Sequence, residues 1–161
     1  MRVIEILQKE TYLSVLLNAP GTKMFRCLWA LTDSGKEDLL DDGKKACAVF
    51  ASSVLFLFGL AQSRRATVDG FERDLIASGW KKAAEPVSGD VIFWEPRMQA
   101  GHRNKHVGFY ICRDMAVSTD WNTGSVRAHH MTYGVKKRGK NAGNPVRRIT
   151  AIYTHDFLRK K

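Results

Sequence analysis

Along the chain, apolar residues keep helical spacing as far as Ser78 and alternate in short runs beyond Pro86. The strongest element is Lys45 to Leu60, apolar nearly all round, which predicts a central helix covered on most sides. Ahead of it, the first 26 residues predict one helix that breaks at Ala19-Pro20-Gly21, and Met24 to Ala30 predicts a second, short one. Thr32-Asp33-Ser34-Gly35 reads as a turn, and Asp41-Asp42-Gly43 breaks the chain just before the central helix. After it, Val68, Phe71, Leu75 and Ile76 recur at helical spacing, with Gly79 as the stop. Five strands follow, Asp90 to Trp94, His106 to Cys112, Met115 to Thr119, Val126 to Tyr133 and Arg148 to Thr154. Helices first and neighbouring strands after predict an α+β fold, with N-terminal helices and a central buried helix packed on an antiparallel sheet of about five strands.

At 161 residues, with 44% of them hydrophobic, the chain suits one packed domain better than two thin ones. Cys27, Cys47 and Cys112 form no paired framework, so free thiols in a reducing compartment are expected. Residues 1–20 show no secretory pattern, which points to the cytoplasm with another export route left open. The longest apolar stretch, Ala46 to Ala61, contains Ser52, Ser53 and Gly59. It falls short of the roughly 18 to 20 residues of a membrane span, so none is expected. The net charge of +10 implies anionic surroundings or an anionic partner. Much of it lies in the 136–148 segment, in Lys136, Lys137, Arg138, Lys140, Arg147 and Arg148. That glycine-punctuated stretch reads as a solvated loop able to meet an anionic polymer.

Two residues carry candidate chemistry. Cys47 falls in the first turn of the central helix, where unpaired amides and the nearby Lys44 and Lys45 favour the thiolate and pull its pKa below about 8.5. The same amides suit an oxyanion. His106 opens a strand whose alternation puts Val107, Phe109 and Ile111 on one face and His106, Gly108 and Tyr110 on the other. Gly108 beside the ring suggests open space for a substrate. A zinc site built from His102, His106, His129 and His130 is disfavoured, because adjacent histidines on a strand face opposite ways and Arg97, Arg103, Lys105 and Arg113 surround the group. No metal and no cofactor are therefore expected. Cys27 and Cys112 read as core residues, Trp80 and Trp94 as packing, and Trp121 as the tryptophan facing a cleft.

The order of Cys47 at the start of a buried helix, then Gly89-Asp90-Val91-Ile92-Phe93-Trp94, then His106-Val107-Gly108-Phe109-Tyr110-Ile111 resembles the NlpC-type peptidases and the related CHAP amidases. The likeness covers about Lys44 to Thr123, roughly half the chain. Ala46 and Ala48 depart from the Asp-Cys-Ser usual around that family's nucleophile. The resemblance implies a papain-like domain with a helical part over 1–43, a catalytic core over 44–123, and last strands with a basic loop over 124–161. It implies a cysteine peptidase or amidase with Cys47 as nucleophile and His106 as base, acting on peptide or peptidoglycan-like substrates. A third polar residue should orient the imidazole. Ser118 stands where many relatives have a second histidine, but Asp120 lies on the same face and carries charge, so Asp120 is preferred with Ser118 as the alternative. This chemistry requires the Cys47 sulfur and a His106 ring nitrogen within about 4 Å, on one side of the sheet. The competing expectation is a catalytically idle papain-like module whose basic surface binds nucleic acid or another polyanion.

Overall fold

Residues 4–99 and 101–160 are described by a computed structural model. In chain order the elements are α1 (Gln8–Asn18), β1 (Trp29–Thr32), β2 (Gly35–Asp38), α2 (Cys47–Leu57), α3 (Val68–Ala77), β3 (Lys81–Lys82), β4 (Val91–Gln99), β5 (His102–Cys112), β6 (Met115–Asp120), β7 (Ser125–His130), β8 (Ile149–Thr154) and α4 (Asp156–Arg159). Strands β3 to β8 form one sheet in the order β3-β8-β4-β5-β6-β7, every neighbouring pair antiparallel. The fold is α+β, with this six-stranded sheet and a separate two-stranded hairpin.

Alternation along the strands sorts the sheet into two faces. Val91 and Phe93 of β4, Val107 and Phe109 of β5 and Val117 of β6 join Phe50, Val54 and Leu55 of α2, Phe71 and Leu75 of α3, and Tyr12 and Leu16 of α1 in the main core. Ile92, Trp94 and Ala116 point to the other face, where Tyr110, Met131, Tyr133 and Ile149 pack on them. Strand β4 is therefore buried on both faces, which explains its unbroken apolar run. Inside α2, the buried Ser52 is satisfied by donating to the Ala48 carbonyl at 2.7 Å and accepting from the Arg65 amide at 2.8 Å. Among the described residues no helix is long and apolar enough to cross a membrane.

Close backbone contact fixes the start of α2. A Cβ on Gly43 would come 2.7 Å from the Gly124 Cα, so the loop before α2 lies directly against the β6–β7 turn. Arg26 ties the two together, pairing with the Asp42 carboxylate and donating to the Thr123 carbonyl at 3.2 Å.

Three expectations change. Met24 to Ala30 is not helical; it turns into β1, because the tight turn at 32–35 folds this segment onto β2 and the Asp38 carboxylate accepts from the Leu28 and Leu40 amides at 2.8 and 3.1 Å. Cys27 and Cys112 are exposed rather than core. The sheet gains β3, a pair of lysines set by backbone pairing to β8, with Lys81 also paired to Asp156 at 3.3 Å.

Candidate active site

His106 pairs across β4–β5 with Trp94, and the two rings lie 5.3 Å apart on the face away from the helices. Ser118 of β6 shares that face. Its Oγ lies 2.9 Å from His106 Nε2, 2.8 Å from His129 Nε2 and 3.2 Å from the Tyr133 hydroxyl. His129 comes from β7. Tyr133 follows β7 in a left-handed conformation (φ 59°), which folds its ring onto the His129 ring at 4.0 Å.

Proton accounting assigns the tautomers. His129 Nδ1 lies 2.9 Å from the His130 carbonyl, which can only accept, so Nδ1 carries the proton. In the neutral ring Nε2 is then a lone pair, and Ser118 donates to it. Ser118 has no second proton, so His106 must donate through Nε2–H, which leaves Nδ1 as its basic nitrogen. Desolvation, then Arg147 and His129, holds His106 well below 6.5; desolvation and Arg147 also lower His129. Both rings are thus neutral near pH 7, as the assignment requires.

Gly108 serves this network, although not as open space. A Cβ there would lie 2.7 Å from the Ser118 Cβ and collide with the Val117 carbonyl, so the missing side chain lets β6 bring Ser118 against His106. Asp120 does not orient the imidazole. It accepts from the Thr123 hydroxyl at 2.9 Å and pairs with Arg127 at 3.7 Å, and the contact to His106 Nε2 belongs to Ser118.

Cys47 is the first residue of α2, 8% exposed, with its thiol met by the amides of Val107 and Ala48. The expected lowering of its pKa does not occur. Burial pushes the thiol up, against the opposing pull of these amides and of Arg147. Lys44 is paired with Asp41 at 3.5 Å. Cys47 packs in the helix-side core and His106 rests on Trp94, yet Arg147 acts electrostatically on both the thiol and the imidazole. Among the described residues no hydrogen bond joins the thiol to the imidazole. They approach through the backbone, since the Val107 amide at the thiol belongs to the residue next to His106.

Arg147 completes the site and overturns its placement in a solvated loop. It is 4% exposed; its Nε donates to the Glu95 carbonyl at 3.0 Å, its Nη2 to the Asn104 carbonyl at 3.4 Å, and its guanidinium lies 5.8 Å from the Tyr133 ring centre. A cavity of 370 Å³ is lined by His106, Ser118, His129, Tyr133 and Arg147, with Trp121 and Asp120 at its wall. Cys47 borders a second cavity of 280 Å³, beside Asn104 and Lys105. Among the described residues no group of three or more His, Cys, Asp or Glu side chains is arranged to hold a metal ion.

His129, Tyr133 and Arg147 were not among the expected site residues. A signal existed for His129: of two adjacent histidines on a strand, one must face the same side as Ser118. No protein-family model matches the chain, and no curated protein matches it. Function must therefore be read from the chemistry of these side chains.

Proposed function

We propose that the protein is a papain-like cysteine hydrolase, a divergent relative of the NlpC-type and CHAP-type enzymes, which cleaves a peptide or amide bond through an acyl-enzyme on Cys47. The observation that carries this reading is the relay from His129 through Ser118, which leaves His106 with a basic Nδ1 beside the residue whose amide meets the Cys47 thiol.

The resting pair is neutral, a thiol held up by burial and an imidazole held down by desolvation and Arg147. Attack is therefore coupled to proton transfer: His106 Nδ1 takes the thiol proton as Sγ bonds to the substrate carbonyl. Amides at the start of α2 hold the oxyanion. The C–N bond breaks as His106 returns the proton to the leaving amine. Water then attacks the thioester, with His106 again the base, and releases the acid and the free thiol. Substrate must bring Sγ and Nδ1 to within about 4 Å, a closure that ligand-free sites often lack. By resemblance the substrate class is peptidoglycan-like peptides, and the positive net charge suits an anionic wall polymer.

Digestion of peptidoglycan fragments and peptide amides, followed by mass spectrometry, tests the proposal. Wild-type protein is expected to release products and to carry an acyl group on Cys47; Cys47→Ala abolishes both. Undiminished turnover by Cys47→Ala rejects the assignment.

One observation favours a second reading. The raised thiol without a hydrogen bond to His106 also suits an inert cysteine in a binding module. That reading predicts no turnover by wild type and binding of single-stranded nucleic acid that weakens steeply with salt.

A further inference from the structure

We infer that the cavity over His106 is a carboxylate subsite with Arg147 as its receptor, so that the substrate carries a carboxylate next to the bond that is cleaved. The nearness to the scissile bond rests on the cysteine-hydrolase reading; the binding of a carboxylate does not.

Arg147 is a buried cation without a counter-charge. Its side chain is 4% exposed, its hydrogen bonds go to two neutral carbonyls, and among the described residues no carboxylate comes within ion-pair distance. A charge withdrawn from water is strongly disfavoured until an opposite charge joins it. The neighbouring charges deepen the imbalance. Lys44, Arg97 and Arg127 line the same cavity, and Asp120 is the one carboxylate among its lining residues. Lys44 and Arg127 already have acidic partners, whereas Arg97 donates to the Val146 carbonyl. Among the described residues, therefore, neither guanidinium has an ion-pair partner, and Arg147 is the buried one of the two.

The ligand class follows from geometry and chemistry together. A guanidinium matches a planar carboxylate with two parallel hydrogen bonds. Arg147 lines the same cavity as His106, Ser118, His129 and Tyr133, so an anion on it lies beside the imidazole. In a peptide-like substrate the anionic group at such a place is a side-chain or terminal carboxylate.

Two alkylating reagents of nearly the same shape, iodoacetate and iodoacetamide, read this directly, because Cys27 and Cys112 are exposed internal controls. The ratio of iodoacetate to iodoacetamide rates, followed by peptide mapping, is expected to be about tenfold or more higher at Cys47 than at Cys27. Arg147→Gln is expected to bring the Cys47 ratio down to the control value, and Arg97→Gln, which leaves the buried guanidinium in place, to lower it in part. Equal ratios at all three cysteines in wild type overturn the subsite while leaving the nucleophile intact. If neither reagent reaches Cys47, the hydrolase reading fails, and the subsite is decided in Cys47→Ala by NMR of the His106 and His129 rings. Saturable shifts with glutarate, absent with glutaramide and lost in Arg147→Gln, support it. No response to glutarate overturns it, and an equal response to inorganic phosphate overturns the carboxylate class.

Discussion

Ser118 has one proton and three hydrogen-bond partners, so its orientation decides what His106 can do. While His129 is neutral, Ser118 donates to it and His106 keeps a basic Nδ1. Once His129 is protonated, both its nitrogens donate; Ser118 must turn, and His106 Nε2 is driven to accept, which places the proton on Nδ1. On the hydrolase reading, His129 is a positioning residue acting through Ser118. His129→Leu removes the acceptor and is expected to lower kcat about 10- to 100-fold with little change in KM, the range seen when a group supporting a functional histidine is lost. Nitrogen NMR should show the His106 proton moving from Nε2 to Nδ1 in that variant. An unchanged tautomer would mean that the relay does not govern His106. The buried Cys47 and Arg147 make the same general point: side-chain chemistry at this site is set by what is kept from water.

At the scale of elements, the site is three strands brought to one register. Gly108 is the hinge of that arrangement, since any side chain there meets Ser118 and the β6 backbone. Gly108→Ala should push β6 away from β5 and cost about 1–3 kcal/mol, the usual range for overpacking. It should also lower turnover more than this stability loss explains, because Ser118 leaves His106. Denaturant unfolding with parallel assays checks both; unchanged turnover in a folded variant would separate Ser118 from the chemistry. The long elements were legible because each carries a period: α2 is apolar all round, and β4, β5, β6 and β8 hold apolar residues at core positions. The β1–β2 hairpin was not legible, since Trp29 and Leu31 are exposed and its form depends on Asp38 and a tight turn. The site was half legible. Cys47, His106 and Ser118 stand in stretches with a readable pattern, whereas Arg147 lies at the end of a basic loop, and only folding shows that its guanidinium turns inward.

For the whole molecule, the consequence is a dependence of stability on acid. His106 and His129 are held neutral in the fold, below the 6.5 of an ordinary histidine. As pH falls below 6.5 the unfolded chain binds protons that the folded chain refuses, so unfolding gains free energy. Stability from these two rings is therefore fully present above pH 6.5 and is lost as pH falls toward their lowered values. Asp38, Asp42 and Glu95, whose carboxylates are lowered from 3.8 and 4.5, add losses of the same sign in stronger acid. Asp90, whose carboxyl burial raises, works the opposite way. The histidine contribution is isolated by difference. Urea midpoints of wild type are expected to drop as pH falls from 6.5 to 5.5, and those of the His106→Gln, His129→Gln double variant to drop less over the same interval, from whatever midpoint it starts. The carboxylates are common to both proteins and cancel in the comparison. Parallel slopes would show that the two imidazoles titrate alike in the folded and unfolded chains. They would then not be kept neutral by the fold, and the basic Nδ1 of His106 would lose its physical basis.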